Sequence, residues 1–146
     1  MEYLVNWQND GKELSAFNGS VIRNPDFYFR KALTWSTISS GAFSLRYAEP
    51  GSLFESKGAK LFINDERLFY YILGVMNSPV IQYALTILAP TLDYHEGPIS
   101  KVPIVYTQEE QFLNRINSLV IENIKYCKED WDSFETSWDF KKHPLV

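Results

Sequence analysis

The chain has a single cysteine, Cys127, only two histidines and two methionines in 146 residues, and no apolar run that approaches the ~20 residues a membrane helix requires. One cysteine excludes an internal disulfide and any Cys-rich zinc site, and points to a reducing, cytoplasmic setting. The N-terminus, Met1 to Trp7, lacks a basic region followed by an apolar stretch, so it does not read as a secretory signal. His95 lies between Asp93 and Glu96 in a polar stretch, and His143 stands beside Pro144. Neither has a second histidine at supporting spacing, so the sequence offers no metal framework. No nucleophile, base and orienter set is apparent either. The net charge of -4 excludes a surface that is basic all round.

What is present is core material and an uneven distribution of charge. With 45% hydrophobic and 16% aromatic residues, the chain has enough apolar surface for one folded domain. From Ser20 to Ala48, Arg23, Arg30, Lys31 and Arg46 face Asp26 alone, whereas from Thr107 onward five cations face eight acids. Any basic partner surface therefore lies in the first half. The last residues, from Asp130, place Trp131, Phe134, Trp138 and Phe140 among acids, and so read as a piece of something larger.

The fold class expected is α+β: a small twisted sheet or partial barrel, a buried helix pair and one long amphipathic helix. Tyr3–Trp7, Phe43–Tyr47 and Lys60–Ile63 are candidate strands bounded by turn formers such as Asn9-Asp10-Gly11 and Pro50-Gly51. Asn64 or Asp65 can cap a helix whose apolar positions Leu68, Phe69, Ile72, Leu73, Val75 and Met76 cover more than half its circumference. At Asn77-Ser78-Pro79 the pattern restarts, with Ser78 as N-cap and Pro79 in the first turn of a second helix. Residues 99–106 alternate as an edge strand despite Pro103. Thr107 to Glu110 reads as a capping box before a stripe of Phe112, Ile116, Leu119, Val120, Ile124 and Cys127. The organisation expected is a first part over 1–106 and a helical spacer with an aromatic, acidic tail over 107–146.

Several motifs occur together in one order: Leu4-Val5-Asn6-Trp7 with Asn9-Asp10-Gly11, Phe27-Tyr28-Phe29, Leu33-Thr34-Trp35-Ser36, Ile38-Ser39-Ser40-Gly41, Tyr71-Ile72-Leu73-Gly74 with Asn77-Ser78, Ala89-Pro90-Thr91-Leu92, Val102-Pro103-Ile104, and the tail from Asp130 with His143-Pro144-Leu145. Together they resemble the target-recognition region of the PglX family of BREX phage-defence adenine-specific DNA methyltransferases. A looser form of the middle pattern is similar to specificity domains of type IIG and type I restriction-modification proteins. The stretch Asp93 to Pro98 departs from the family pattern, which leaves that loop without an assigned role. The resemblance implies a target-recognition domain over 1–106 that holds double-stranded DNA beside the methyltransferase core of the same parent chain. It also implies S-adenosylmethionine in that parent and no cofactor in this stretch. The family's Asn-Pro-Pro-aromatic tetrapeptide has its nearest counterpart in Asn24-Pro25-Asp26-Phe27, which lacks the second proline and has no Gly-x-Gly loop before it. Catalysis by this stretch is therefore not expected.

The residues expected to touch DNA are Arg23, Arg30, Lys31, Thr34, Trp35, Ser36, Ser39, Ser40 and Arg46, because cations neutralise phosphates or read guanine while hydroxyls suit phosphate oxygens. On composition alone the same segment is an ordinary polar turn around a core tryptophan. The alternative function is a protein-interaction module, in which Trp131, Phe134, Trp138 and Phe140 dock another phage-defence protein. The tail's carboxylates alternate with apolar residues and are not aimed at one point, so they do not form a Mg2+ site.

Overall fold

The computed structural model describes residues 4–55, 57–143 and 145. Its elements run α1 (Gln8–Ala16), a 3-10 turn (Pro25–Phe27), β1 (Ala32–Thr34), β2 (Arg46–Ala48), β3 (Lys60–Leu61), α2 (Glu66–Met76), α3 (Pro79–Leu88), α4 (Glu96–Ile99) and α5 (Glu110–Asp132). The fold is α+β, and of the two sheet forms expected it is the open one. The strands lie in the order β2-β1-β3, with β1 antiparallel to both neighbours. Because β2 and β3 flank the same strand, the loop 49–59 must cross from one edge of the sheet to the other.

The helix pair forms where the sequence places it. The Asp65 side chain accepts from the Arg67 amide at 3.0 Å and starts α2, and Ser78 caps α3 with Pro79 in its first turn. The two helices bend by 74° at this junction, and no single helix among the described residues is long and apolar enough to cross a membrane. Phe69, Leu73 and Met76 of α2 with Ile81 and Leu85 of α3 face Leu33, Trp35, Phe43 and Leu45 from the sheet side, which makes the core. Behind α2 lies α5. A Cβ added to Gly74 would stand 2.8 Å from Val120 Cγ2, so the missing side chain is what lets the two helices approach this closely. At the far end of α5, Lys128 pairs with Glu49 after β2 at 2.9 Å and with Asp139 of the tail at 3.8 Å.

Several expected strands are not strands. Of Tyr3–Trp7, Tyr3 lies outside the described residues; Leu4 to Trp7 carry no ladder and lead into α1, where Asn9, Asp10 and Gly11 all take left-handed backbone angles. Three such residues in succession turn the chain instead of extending it, and Gly11 leaves room for the Trp7 ring, 2.9 Å from where its Cβ would be. Of the other two candidates only Arg46 and Tyr47, in a strand that runs on to Ala48, and Lys60 and Leu61 pair. The expected edge strand over 99–106 is instead the end of α4, a turn and then irregular chain, where the Val105 carbonyl accepts from the Tyr71 hydroxyl in place of a strand neighbour. Thr107 does not box the next helix: its hydroxyl accepts from the Glu109 amide at 3.2 Å, and the N-cap of α5 is Glu109, two residues further on.

Candidate nucleic-acid interface

Two side-chain rows cross the sheet. Thr34 of β1 stands between Arg46 of β2 and Lys60 of β3, and Leu33 is flanked by Tyr47 and Leu61. Directly paired residues share a face and successive residues alternate between faces. The Leu33 row looks toward α2, where Tyr47 meets Phe69 edge to face at 6.0 Å. The Arg46, Thr34 and Lys60 row therefore looks away from the helices.

On this outer face Arg46 is exposed and its Nη2 donates to Ser36 Oγ at 3.0 Å, which fixes the guanidinium beside the sheet. The Thr34 hydroxyl donates to the Ala59 carbonyl at 2.9 Å. Lys60 Nζ donates to the carbonyl of Ser52 at 3.1 Å and to its hydroxyl at 2.7 Å, so it pins the crossover loop against the strands. Burial under that loop lowers the Lys60 pKa from its ordinary value. A hollow of about 370 Å³ between loop and sheet is lined by Thr34, Ala48, Ser52, Phe54 and Lys60 among others. A second, of about 470 Å³, has Arg23, Asn24, Tyr28, Phe54 and Lys60 in its wall.

Not all of the sequence-derived contacts gather here. Lys31 turns to the helix side, where it pairs with Glu66 of α2 and its ammonium lies 5.0 Å from the Phe69 ring centre. The hydrogen bond to Glu66 is the main reason its pKa is raised. A lysine so engaged is withdrawn from the outer face. Trp35 is also withdrawn: it is 4% exposed, and its indole N–H donates to the Tyr94 carbonyl at 2.8 Å, so it is a core residue. Ser39 accepts from the Gly41 amide through its hydroxyl, and its own N–H donates to Leu92; Ser40 is exposed. Arg30 stands exposed, with its guanidinium carbon 5.2 Å from the Phe27 ring centre and 5.8 Å from that of Phe62. Arg23, Arg30 and Arg46 take part in no ion pair among the described residues.

Lys60 was not singled out from the sequence, since only strand register puts it in a row with Arg46. The aromatic run Phe27-Tyr28-Phe29 was visible, but its neighbours Phe54 and Phe62 come from distant positions. Asn24, in a left-handed conformation, caps the 3-10 turn that contains Pro25, Asp26 and Phe27. His95 Nε2 lies 2.8 Å from Asp93 Oδ2, and among the described residues no three potential metal ligands cluster. In the C-terminal part, Trp131, Phe134 and Trp138 are 57%, 55% and 73% exposed, while Phe140 is half-buried. Pro144 of the tail motif lies outside the described residues.

No protein-family model matches the chain. Over nearly its whole length, however, it is similar to a segment of adenine-specific methyltransferases. It is 39% identical over 147 residues to Adenine-specific methyltransferase BrxX of Escherichia coli O9:H4 (strain HS). It is 36% identical over 151 residues to Adenine-specific methyltransferase PglX of Lacticaseibacillus casei (strain Zhang). Each alignment takes in 99% of this chain and 12% of the relative, so the chain spans about an eighth of the length of the curated relatives it matches. The chain is thus homologous to one segment of these methyltransferases, as its motifs indicated.

Proposed function

We propose that this chain is the DNA-recognition part of an adenine-specific DNA methyltransferase of a BREX phage-defence or restriction-modification system. In this reading it holds duplex DNA beside a catalytic core that lies elsewhere in the parent polypeptide. The observation that carries the reading is that Arg23, Arg30 and Arg46 stand exposed and outside every ion pair described, in a chain of net charge -4. Exposed guanidiniums without carboxylate partners are available to phosphates, where they release condensed counterions, and to guanine edges, which they grip with two hydrogen bonds. Ser36 supports Arg46 as a positioned contact on the outer face of the sheet.

The methyl transfer itself is assigned to the rest of the parent protein. S-adenosylmethionine, which the family implies, is in this reading assigned to that part of the parent as well. The test is duplex binding by fluorescence anisotropy across a salt series. The chain should bind DNA with a salt-dependent constant, and Arg46→Ala should both weaken binding and reduce the log–log salt slope by about 0.9, the share of one phosphate contact. Absence of duplex binding even at low ionic strength sinks the reading.

A second reading has its own observation, the exposure of Trp131, Phe134 and Trp138. In that reading the C-terminal part docks a protein component of the same defence system. Loss of a defined complex with Trp138→Ala, together with duplex binding indifferent to Arg46→Ala, favours it over DNA recognition.

A further inference from the structure

Outside the main core the molecule has a second collection of aromatic rings, of which four are half-buried and two, Phe27 and Phe29, reach the surface. Trp7 meets Tyr28 at 5.2 Å between ring centres and Phe29 at 5.7 Å; Tyr28 meets Phe54 at 5.2 Å, Phe54 meets Phe62 at 5.5 Å, and Phe62 meets Phe27 at 4.9 Å. None of the six belongs to the buried core, and Phe27 and Phe29 are 37% and 40% exposed. Rings that served only to fill an interior would be covered, as Phe43 and Phe69 are.

Phe29 has a further peculiarity. Its φ is +61°, in the left-handed region that a bulky side chain rarely enters. The conformation is enforced from both sides: the Phe29 N–H donates to the Ser52 carbonyl at 3.2 Å, and the Gly51 N–H donates to the Phe29 carbonyl at 3.0 Å. A strained residue kept at the surface is a feature found at ligand-binding positions. Its neighbour Arg30 lies over Phe27 and Phe62, exposed and without an ion-pair partner among the described residues, so a flat cation sits beside exposed aromatic rings.

We propose that the turn from Phe27 to Arg30 is a stacking shelf for an unpaired nucleobase of the bound DNA, with Phe27 and Phe29 offering ring surface and Arg30 the adjacent phosphate contact. The proposal rests on the DNA reading above and adds to it a distinct contact. An intact duplex hides base faces in its stack and shows only edges and phosphates, whereas a displaced or bulged base presents a π-face that any aromatic ring can take, whatever the sequence. The positive charge complements the flanking phosphates, and the aromatic rings match the base itself. Arg30 and Arg46 thus have different tasks, one beside an exposed base and the other on the outer face of the sheet.

The experiment compares, by anisotropy at fixed salt, a fully paired duplex with the same duplex carrying one unpaired adenine. The bulged DNA should bind more tightly by roughly 5- to 150-fold, the equivalent of one base stacked on an aromatic ring. Phe29→Ala should remove that preference while leaving affinity for the paired duplex within about twofold. Phe29→Gly relieves the backbone strain at positive φ and so provides a folded variant that also lacks the ring. It should lose the preference and unfold no earlier than the parent. Equal binding of the two DNAs by the unaltered chain, or a preference that survives Phe29→Gly, overturns the stacking shelf while leaving duplex recognition intact. Failure to bind either DNA overturns both.

Discussion

The side chain of Asn77 pairs with the backbone of Leu45 in both directions: its Oδ1 accepts from the Leu45 N–H at 2.9 Å, and its Nδ2 donates to the Leu45 carbonyl at 2.8 Å. The same Nδ2 also donates to the Leu73 carbonyl at 2.9 Å, near the end of α2. One amide therefore fastens the approach to β2 onto the helix junction, in the manner of a strand neighbour. Asn77→Ala leaves a donor and an acceptor of Leu45 without partners, and should cost about 1–3 kcal/mol. Urea unfolding measures it. Asn77→Asp, which keeps the acceptor and loses the donor, should also be destabilised; a variant of either kind with unchanged midpoint would remove Asn77 from this role.

Gly74 makes the second prediction. Alanine there gains about 1 kcal/mol of helix propensity but sets a methyl 2.8 Å from Val120 Cγ2. Overpacking of this kind costs about 1–3 kcal/mol, so Gly74→Ala should be destabilising on balance. In a Val120→Ala background the obstruction is gone and the same change should become neutral or stabilising. A double-mutant cycle by denaturant titration shows whether the sign reverses.

The start of α2 carries a pH dependence. Arg67 lowers the pKa of the Asp65 carboxyl below its ordinary 3.8, through its guanidinium first and its backbone amide second. A carboxylate depressed in the folded state adds stability above its unfolded pKa, and that contribution is lost as pH falls through the folded value. Asparagine can still cap the helix, so Asp65→Asn isolates the charge. The stability difference between the parent and Asp65→Asn should be constant from pH 7 to about 5 and should close as the solution is acidified below 3.8. A difference that stays constant from pH 5 down to pH 2 refutes the assignment.

Lys31 supplies a contrast for DNA binding. Because it pairs with Glu66 on the helix side, Lys31→Ala should leave the salt slope of duplex binding unchanged, whereas Arg46→Ala makes it shallower. If the two substitutions lower the slope equally, the outer face is not the privileged surface.

The helical half of the fold was legible because its signals are local. Asp65 and Ser78 accept from amides within three residues of themselves, Pro79 brings its own fixed φ, and the apolar stripe of α5 repeats every turn. The sheet was less so, since a strand of two or three residues is defined by its neighbours. Nothing in Lys60-Leu61 announces that Lys60 shares a row with Arg46. The candidate site shows the same division: exposed arginines could be named from their segment, but whether Lys31 stood on the outer face or paired with Glu66 depended on which side of β1 met α2. Trp35 illustrates the opposite case, where the bland expectation of a core tryptophan is the one realised. The 99–106 alternation misled because Ile99 closes α4 and the chain turns after it, so that the partner available to the Val105 carbonyl is a tyrosine hydroxyl and not a strand.

Lys128 is anchored to Glu49 by a hydrogen-bonded ion pair and to Asp139 by a longer one, with all three side chains about half in water or more. Attractions of that kind are weak and fade as electrolyte accumulates. Ionic strength should therefore act as a latch on the carboxy-terminal residues: trypsin ought to cleave after Lys141 and Lys142 faster at 0.5 M sodium chloride than in dilute buffer, while α2 and its neighbours stay protected.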